Sequence, residues 1–450
     1  MATEKKNRKT IDPKFSPTGN FSPEDAPPYE GSLQCMRCGF CLPTCPTFVL
    51  TGRERSSPRG RVALARAVAE EKLDFTQSVK EEAFFCLDCR ACTTACPSGV
   101  KAGEIMEVCR DQSHQLKPGG HLSNGFRKFV LQRMMPNPAL MENAMLPARL
   151  YQRLGIQWLV RNSQLLKFGP DWMAKAEGMM PKMDKPLRTQ LPELTPAGGE
   201  KRGKVGFFLG CVMTLMYPEV SRQTVRVLAQ QGFDVITPSQ TKCCGAPHLS
   251  EGDRNTAREL AMFNIDLFLD RDVEYIVTDC AGCGSALKEY EELLEEQADH
   301  QKLADFRSKI RDISEFLAEV GLRTEGLKEV KKTVTYHEPC HLCHAQGISK
   351  QPREIIKQIP GIELREMQES SWCCGSAATW GLKFTEESQQ VLDRKLNNVK
   401  MTEADILVTG NPGCQLQLAW GVHEAGLPQQ VKHLMELLGD ALPPDDIIPQ

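Results

Sequence analysis

Between residues 35 and 96 the chain repeats one cysteine phrase: Cys35, Cys38, Cys41 and Cys45-Pro46, then Cys86, Cys89, Cys92 and Cys96-Pro97. Each reads C-x2-C-x2-C-x3-C-P, a spacing that holds a pair of [4Fe–4S] cubanes. Three cysteines two residues apart form a tight loop whose thiolates converge on three irons of one cube. The fourth, turned aside before a proline, points to the other cluster. Cys35, Cys38, Cys41 and Cys96 are therefore assigned to one cubane, and Cys86, Cys89, Cys92 and Cys45 to a second. Such centres carry one electron at a time, so the expected chemistry is an electron relay. Zinc commonly takes two separated ligand pairs, and two runs of four evenly spaced cysteines suit it poorly.

A second cysteine pattern occurs twice in the C-terminal 250 residues. Cys211 matches Cys340 at a separation of 129, Cys243-Cys244-Gly245 matches Cys373-Cys374-Gly375 at 130, and Cys280 matches Cys414 at 134. Landmarks kept at a near-constant offset read as two copies of one domain. Adjacent side chains in a strand point to opposite faces, so two neighbouring thiolates reach one metal only where the backbone leaves regular structure. The following glycine permits that turn. The first copy offers five candidate ligands: Cys211, Cys243, Cys244, Cys280 and Cys283. The second offers Cys340, Cys373, Cys374 and Cys414; where the first reads Cys280-Ala-Gly-Cys283, the second reads Cys414-Gln-Leu-Gln417. Cys343, three residues after Cys340, either supplies the missing sulfur from the same helix face or is a buried thiol. Cys109 reads as a buried thiol. His248, His337, His341, His344 and His423 lie near these motifs and read as hydrogen-bonding or packing residues, with His341 the best candidate for a direct ligand.

These residues need elements to hold them. Residues 1–30 are polar and proline-rich and read as a disordered or extended tail. Residues 31–115 carry the two loops of the first pattern, joined by a helix capped by Ser56 or Ser57 with Pro58 at its start. Residues 116–200 hold eight of the seventeen methionines, and residues 121–190 carry eleven Lys or Arg against four Asp or Glu. Prolines cut this stretch into short helices. It reads as a helical linker, or as a basic, methionine-lined docking surface for a partner or a membrane interface. Residues 201–330 and 331–450 form the two copies. Apolar runs at 205–210, 234–238, 274–279, 333–338 and 405–410 alternate with amphipathic runs at 219–231, 253–270 and 386–404, which predicts βαβ units and a mostly parallel sheet. Each of these strands is followed within a few residues by a cysteine, at the C-terminal strand ends where open α/β sheets bind ligands. The fold class expected is α+β multidomain: a helical dicluster domain followed by two repeated α/β domains.

Composition narrows the function. No apolar segment at residues 1–15 reads as a secretory signal, so the nineteen cysteines are expected to stay reduced in the cytoplasm and to act as metal ligands rather than disulfides. No run reaches the roughly 18–20 apolar residues of a membrane span. A net charge of −3 gives no support to nucleic-acid binding. No glycine-rich dinucleotide motif follows a strand, and neither a phosphate-binding loop of the Walker type nor a nucleophile elbow is present.

With these motifs in view, the two C-terminal copies resemble the cysteine-rich CCG domains of heterodisulfide reductase subunits. The chain from about residue 31 to 440 resembles the iron–sulfur subunits of glycolate oxidases, a likeness carried also by SPRGR (57–61), HEPCH (337–341), CCGSA (373–377) and NPGC (411–414). The resemblance implies two [4Fe–4S] clusters in the ferredoxin-type domain and one or two further iron–sulfur clusters in the CCG domains. It implies a noncubane cluster on the complete five-cysteine set. For the second copy, which departs from the pattern, it implies four thiolates, with Cys343 as a candidate fifth. It further implies an FAD-containing partner subunit that oxidises glycolate, electrons passing on to quinone or another respiratory acceptor, and no catalytic residue on this chain. Peripheral association with the inner face of the cell membrane belongs to the same expectation. Three alternatives stand beside it: an iron–sulfur subunit of an anaerobic glycerol-3-phosphate or lactate dehydrogenase, a CCG centre that itself cleaves disulfides, and a zinc scaffold.

Overall fold

A computed structural model describes residues 18–22, 25–116, 121–163, 171–295 and 297–443. Most of the expected N-terminal tail lies outside these residues. The part that is described is anchored rather than free: Phe21 is buried edge-on against Phe75, with centroids 5.8 Å apart. A phenyl ring of this size gains about 1.5–3 kcal/mol from burial.

The front of the molecule is helical. Helix α1 (Pro58–Ala69) starts as its sequence predicts, with Ser57 accepting from the Gly60 amide at 3.0 Å and proline at the first helical position. With α2 (Gln77–Phe85) and α3 (Ala102–Leu116) it encloses a small core of Val62, Val68, Val79, Ile105 and Met106. Cys109 lies in this core, fully buried, its thiol pushed up to about 12 by desolvation. The linker forms short helices, among them α4 (Leu146–Arg153), α5 (Ile156–Ser163) and α6 (Asp171–Gly178).

Two α/β units follow. The first sheet contains β1 (Leu194–Thr195), β2 (Gly203–Phe207), β3 (Phe233–Ile236), β4 (Tyr275–Thr278) and β5 (Ile310–Asp312), in the order β1-β3-β2-β4-β5. All its pairings are parallel except β1 with β3. The second contains β6 (Lys332–Tyr336), β7 (Ile362–Leu364), β8 (Ile406–Thr409) and β9 (Gln430–His433), in the order β7-β6-β8-β9 and wholly parallel. The five strands predicted from sequence are present. The edge strands β1, β5, β7 and β9 were not foreseen, because two to four residues are too few to show a period. Buried residues of both units belong to one continuous core, in which Val220, Val227 and Leu228 join Leu434, Leu437 and Leu438.

Strand pairing fixes how the copies correspond, and it corrects the sequence alignment. Phe207 of β2 pairs with Val277 of β4, and Tyr336 of β6 with Val408 of β8. From Val277 to Val408 the offset is 131, so Val-Thr-Asp-Cys280-Ala-Gly-Cys283 lies on Val-Thr-Gly-Asn411-Pro-Gly-Cys414. Cys414 is therefore the counterpart of Cys283, not of Cys280. The position that lacks a thiol is Asn411, not Gln417.

Candidate iron–sulfur centres

The thiols gather where the strands end. All nineteen cysteines are free. In the first copy Cys211 opens a short helix four residues beyond β2, Cys243 and Cys244 follow β3, and Cys280 and Cys283 follow β4. They form one connected group: Cys211 and Cys243 stand 3.7 Å apart at sulfur, Cys243 also faces Cys244, and Cys283 faces both Cys244 and Cys280. Gly245 has φ +87° and its counterpart Gly375 has φ +84°, the left-handed turn expected after each Cys-Cys pair. At Gly375 a Cβ would meet the Ser388 carbonyl oxygen at 2.8 Å.

In the second copy Cys340 faces Cys373, Cys373 faces Cys374, and Cys374 stands 3.4 Å from Cys414 at sulfur. These separations exceed the roughly 2.05 Å of a disulfide. Cys343 turns its sulfur back toward the Cys340 carbonyl at 3.9 Å. Gln417 does not aim at sulfur; it donates to Ser388 Oγ at 3.1 Å. That hydroxyl also accepts from Lys175 of α6 at 2.8 Å and donates to the Gly375 carbonyl at 2.9 Å. The turn is thereby tied to the linker.

In the helical front, one cavity is lined by Cys45, Cys86, Cys89 and Cys92, so Cys45 does cross to the second loop. Arg61, from the SPRGR phrase, is buried beside it, with a guanidinium nitrogen 3.9 Å from Cys45 Sγ and another donating to the Glu82 carbonyl at 3.0 Å. Cys41 neighbours Cys35 and Cys45; Cys35 and Cys96 pack on the edge of the helical core, and Cys38 is exposed at the loop.

The groups also meet one another. Cys89 clusters with Cys373, Trp372 and Trp380, with Cys340 packed against them. Asn411 does not cap its own helix, α-helical from Pro412 to Glu424. Its amide instead spans the two copies. Nδ2 donates to Cys414 Sγ at 3.6 Å, while Oδ1 accepts from the Gly282 amide at 3.0 Å and lies 3.8 Å from Cys280 Sγ.

The histidines divide. His248 bonds the Leu131 carbonyl at 2.7 Å and His344 meets Thr94 at 3.1 Å, both as packing residues. His423 is exposed. His341 lies 3.6 Å from Cys340 Sγ. Burial opposes its charge, but Cys340 and Asp88 outweigh that and hold it up at about 9. His337, fully buried, lies beside Cys374 and Cys414.

Sulfur donors at these spacings, most of them buried or half-buried and Cys38 alone exposed, fit iron–sulfur clusters, which Cys thiolates hold. The fold and its sites define a class: an iron–sulfur electron-transfer protein with a dicluster front and two cysteine-rich α/β units. Comparison with known proteins agrees. A 4Fe-4S dicluster domain matches residues 31–100, the linker region of glycolate oxidase iron-sulfur subunits matches 123–180, and the cysteine-rich domain (CCG) matches 205–288 and 334–419. A probable glycolate oxidase iron-sulfur subunit of Bacillus subtilis (strain 168) is 39% identical over 91% of this chain and 94% of its own length. The glycolate oxidase iron-sulfur subunit of Escherichia coli (strain K12) is 32% identical over 91% and 93%. Lactate utilization protein A of Halalkalibacterium halodurans is 31% identical over 52% of this chain and 96% of its own. The chain belongs to the family of glycolate oxidase iron-sulfur subunits.

Proposed function

We propose that this chain is the electron-transfer subunit of a glycolate-oxidising complex, drawing electrons from an FAD-bearing partner and passing them toward quinone or another respiratory acceptor. The proposed ligand sets are Cys35, Cys38, Cys41 and Cys96 for one cubane and Cys86, Cys89, Cys92 and Cys45 for the other. Cys211, Cys243, Cys244, Cys280 and Cys283 hold a third centre, of the noncubane type. Cys340, Cys373, Cys374 and Cys414 hold a fourth. When bound, such clusters supply one-electron transfer at potentials set by charge, hydrogen bonding and burial.

The observation that carries this reading is the contact order of the thiol groups. Cys89 of the front meets Cys340 and Cys373, and Asn411 links Cys414 to Cys280. The residues thus line up as a path from the exposed loop around Cys38, through the second copy, to the first. At the outer end Met36 and Phe40 stand 68% and 64% exposed, an apolar rim suited to a partner's redox group. The chain's own tasks are to space the centres, exclude water from the inner ones and set their electrostatics. Arg61 does the last beside Cys45, and Lys175 and Lys395 do it beside Cys374.

Peripheral membrane attachment fits the linker. Leu146, Leu150, Leu154, Trp158 and Leu159 are exposed on α4 and on α5 and the turn between them, with Arg153 beside them. Among the described residues no helix is long and apolar enough to cross a membrane.

The test is to assay glycolate oxidation with a dye acceptor for this chain alone, for the flavin subunit alone, and for the complex. Substrate should reduce flavin without this chain, and reach the respiratory acceptor only with it. Glycolate oxidation by this chain alone would refute the division of labour.

A further inference from the structure

The two copies differ at a second position as well as at Asn411. Three residues before the leading cysteine, the first copy has Phe208, stacked on Phe268 with centroids 5.8 Å apart. The second has His337 at the same offset of 129 that separates Cys211 from Cys340. The backbones match: the Phe208 amide donates to the Val277 carbonyl at 2.8 Å, and the His337 amide to the Val408 carbonyl at 2.8 Å. At matched backbone positions the five-thiol copy therefore carries a hydrocarbon ring and the four-thiol copy an imidazole.

That imidazole has no ordinary use. His337 is fully buried, and neither Nδ1 nor Nε2 has a hydrogen-bond partner. The Ser370 carbonyl faces the ring outside hydrogen-bonding geometry, and both its lone pairs are already engaged, by the Glu338 amide at 3.1 Å and by Lys395 Nζ at 3.0 Å. Buried polar groups are nearly always paired, and an orphan calls for an absent partner such as an ion. One ring nitrogen and the sulfurs of Cys374 and Cys414 all lie within 4.8 Å of one another. Neutral imidazole is the metal-binding form.

We propose that His337 is an iron ligand of the second CCG centre, supplying a nitrogen donor in the copy where Asn411 has displaced a thiolate. The donor count returns to five: Cys340, Cys373, Cys374, Cys414 and His337. Exchanging an anionic thiolate for a neutral imidazole makes the centre less negative and easier to reduce, as histidine ligation does in two-iron centres. The inference rests on the reading that those four cysteines hold an iron–sulfur cluster.

The experiment is pulsed EPR on the anaerobically purified, reduced complex, grown with natural-abundance or 15N-labelled histidine. Expected is a directly bonded nitrogen coupling that changes with the label, persists in His341→Gln and is lost in His337→Phe, the first copy's residue. Labelled wild-type protein stands as a measurement by itself should His337→Phe fail to assemble. No histidine nitrogen coupling, or one that survives His337→Phe or disappears in His341→Gln, overturns the proposal. Iron and sulfide content separates the two levels. A complex with a full complement but no histidine coupling refutes His337 alone. One that lacks the iron of this centre refutes the underlying reading.

Discussion

In the first cysteine-rich copy, fully buried Asn264 donates to the Cys243 carbonyl at 3.1 Å and bonds Tyr290 at 3.3 Å. In the second, 131 positions on and equally buried, Lys395 donates to the carbonyls of Glu369 (2.5 Å) and Ser370 (3.0 Å). A second ammonium, Lys175, reaches the same site from the linker, where it donates to the Gly381 carbonyl at 3.0 Å. Desolvation pulls both lysines down to about 8, with Cys374 opposing it. At matched depth one duplicated backbone thus sets the Asn264 amide beside five thiols in one copy and two ammoniums beside four candidate ligand thiols in the other; the first copy's own cation, Arg188 near Cys211, is paired with Glu142 at 3.3 Å. Net charge and hydrogen bonding set cluster potentials, so duplication followed by substitution yields two steps of different potential on one scaffold. The second centre should be the more oxidising.

The largest effect tests whether the second copy holds a centre at all. Cys374→Ala should remove about four irons per chain and cut turnover with the respiratory acceptor by more than about 100-fold, beyond the 10–100-fold typical of losing an outer-shell partner. Flavin reduction by glycolate should persist. Metal analysis with steady-state and stopped-flow assays reads all three, and unimpaired acceptor turnover would take this copy off the electron path.

The contrast can also be narrowed. Asn411→Cys puts back the thiol that the first copy has at Cys280. The second centre should then fall in potential and approach the first in its EPR spectrum, with iron content unchanged. A spectrum indifferent to the change would mean that position 411 does not reach the cluster.

The correspondence between Asn411 and Cys280 was present in the sequence but obscured by counting cysteines. Matching Cys280 to Cys414 preserved a cysteine at the price of a three-residue slip. Aligning Val-Thr-Asp-Cys-Ala-Gly-Cys with Val-Thr-Gly-Asn-Pro-Gly-Cys would have avoided it, because those residues sit on paired strands whose register allows no slip. The ferredoxin-type spacing needed no fold, since a loop of eleven residues, Cys35 to Cys45 or Cys86 to Cys96, closes locally. The placement of Cys45 beside Cys86, Cys89 and Cys92 follows it. His337 was legible only as a nearby histidine. Its buried, unpaired state depends on β8 and the turn at Cys374, which lie far along the chain. Lys175 and Lys395 were illegible for the same reason: on sequence alone a helical lysine reads as solvated.

A smaller effect isolates charge from ligand number. Lys395→Gln should lower the potential of the second centre by about 100 mV and leave the first unmoved. A unit charge ~6 Å away at an effective dielectric of about 20 is worth roughly 3 kcal/mol, or about 100 mV for one electron. Potentiometric EPR titration measures both centres in one sample. Equal shifts in both would erase the distinction drawn between the copies.

The smallest effect lies at the seam between the helical front and the first copy. His114 on α3 bonds the Glu251 carbonyl at 2.9 Å, and burial, aided by Arg127, pulls it down to about 4. Unfolded, it takes up a proton near pH 6.5. Its contribution is therefore complete above that value and is lost as pH falls from about 6.5 to about 4. His114→Gln should flatten this acid slope by about 1 kcal/mol, the ring being partly solvated. Thermal melts at pH 7 and pH 5 check it; an unchanged slope would place the proton elsewhere. At the second copy the seam is largely aromatic, through Phe85, Trp380 and Phe384, and its histidine, His344, meets a side-chain hydroxyl, Thr94, rather than a carbonyl.

The most direct measurement is the iron, zinc and acid-labile sulfide content of the complex purified without oxygen. Four filled centres predict about sixteen irons and nearly as many sulfides per chain, with no stoichiometric zinc. Colourless protein carrying zinc and no sulfide would contradict the relay outright.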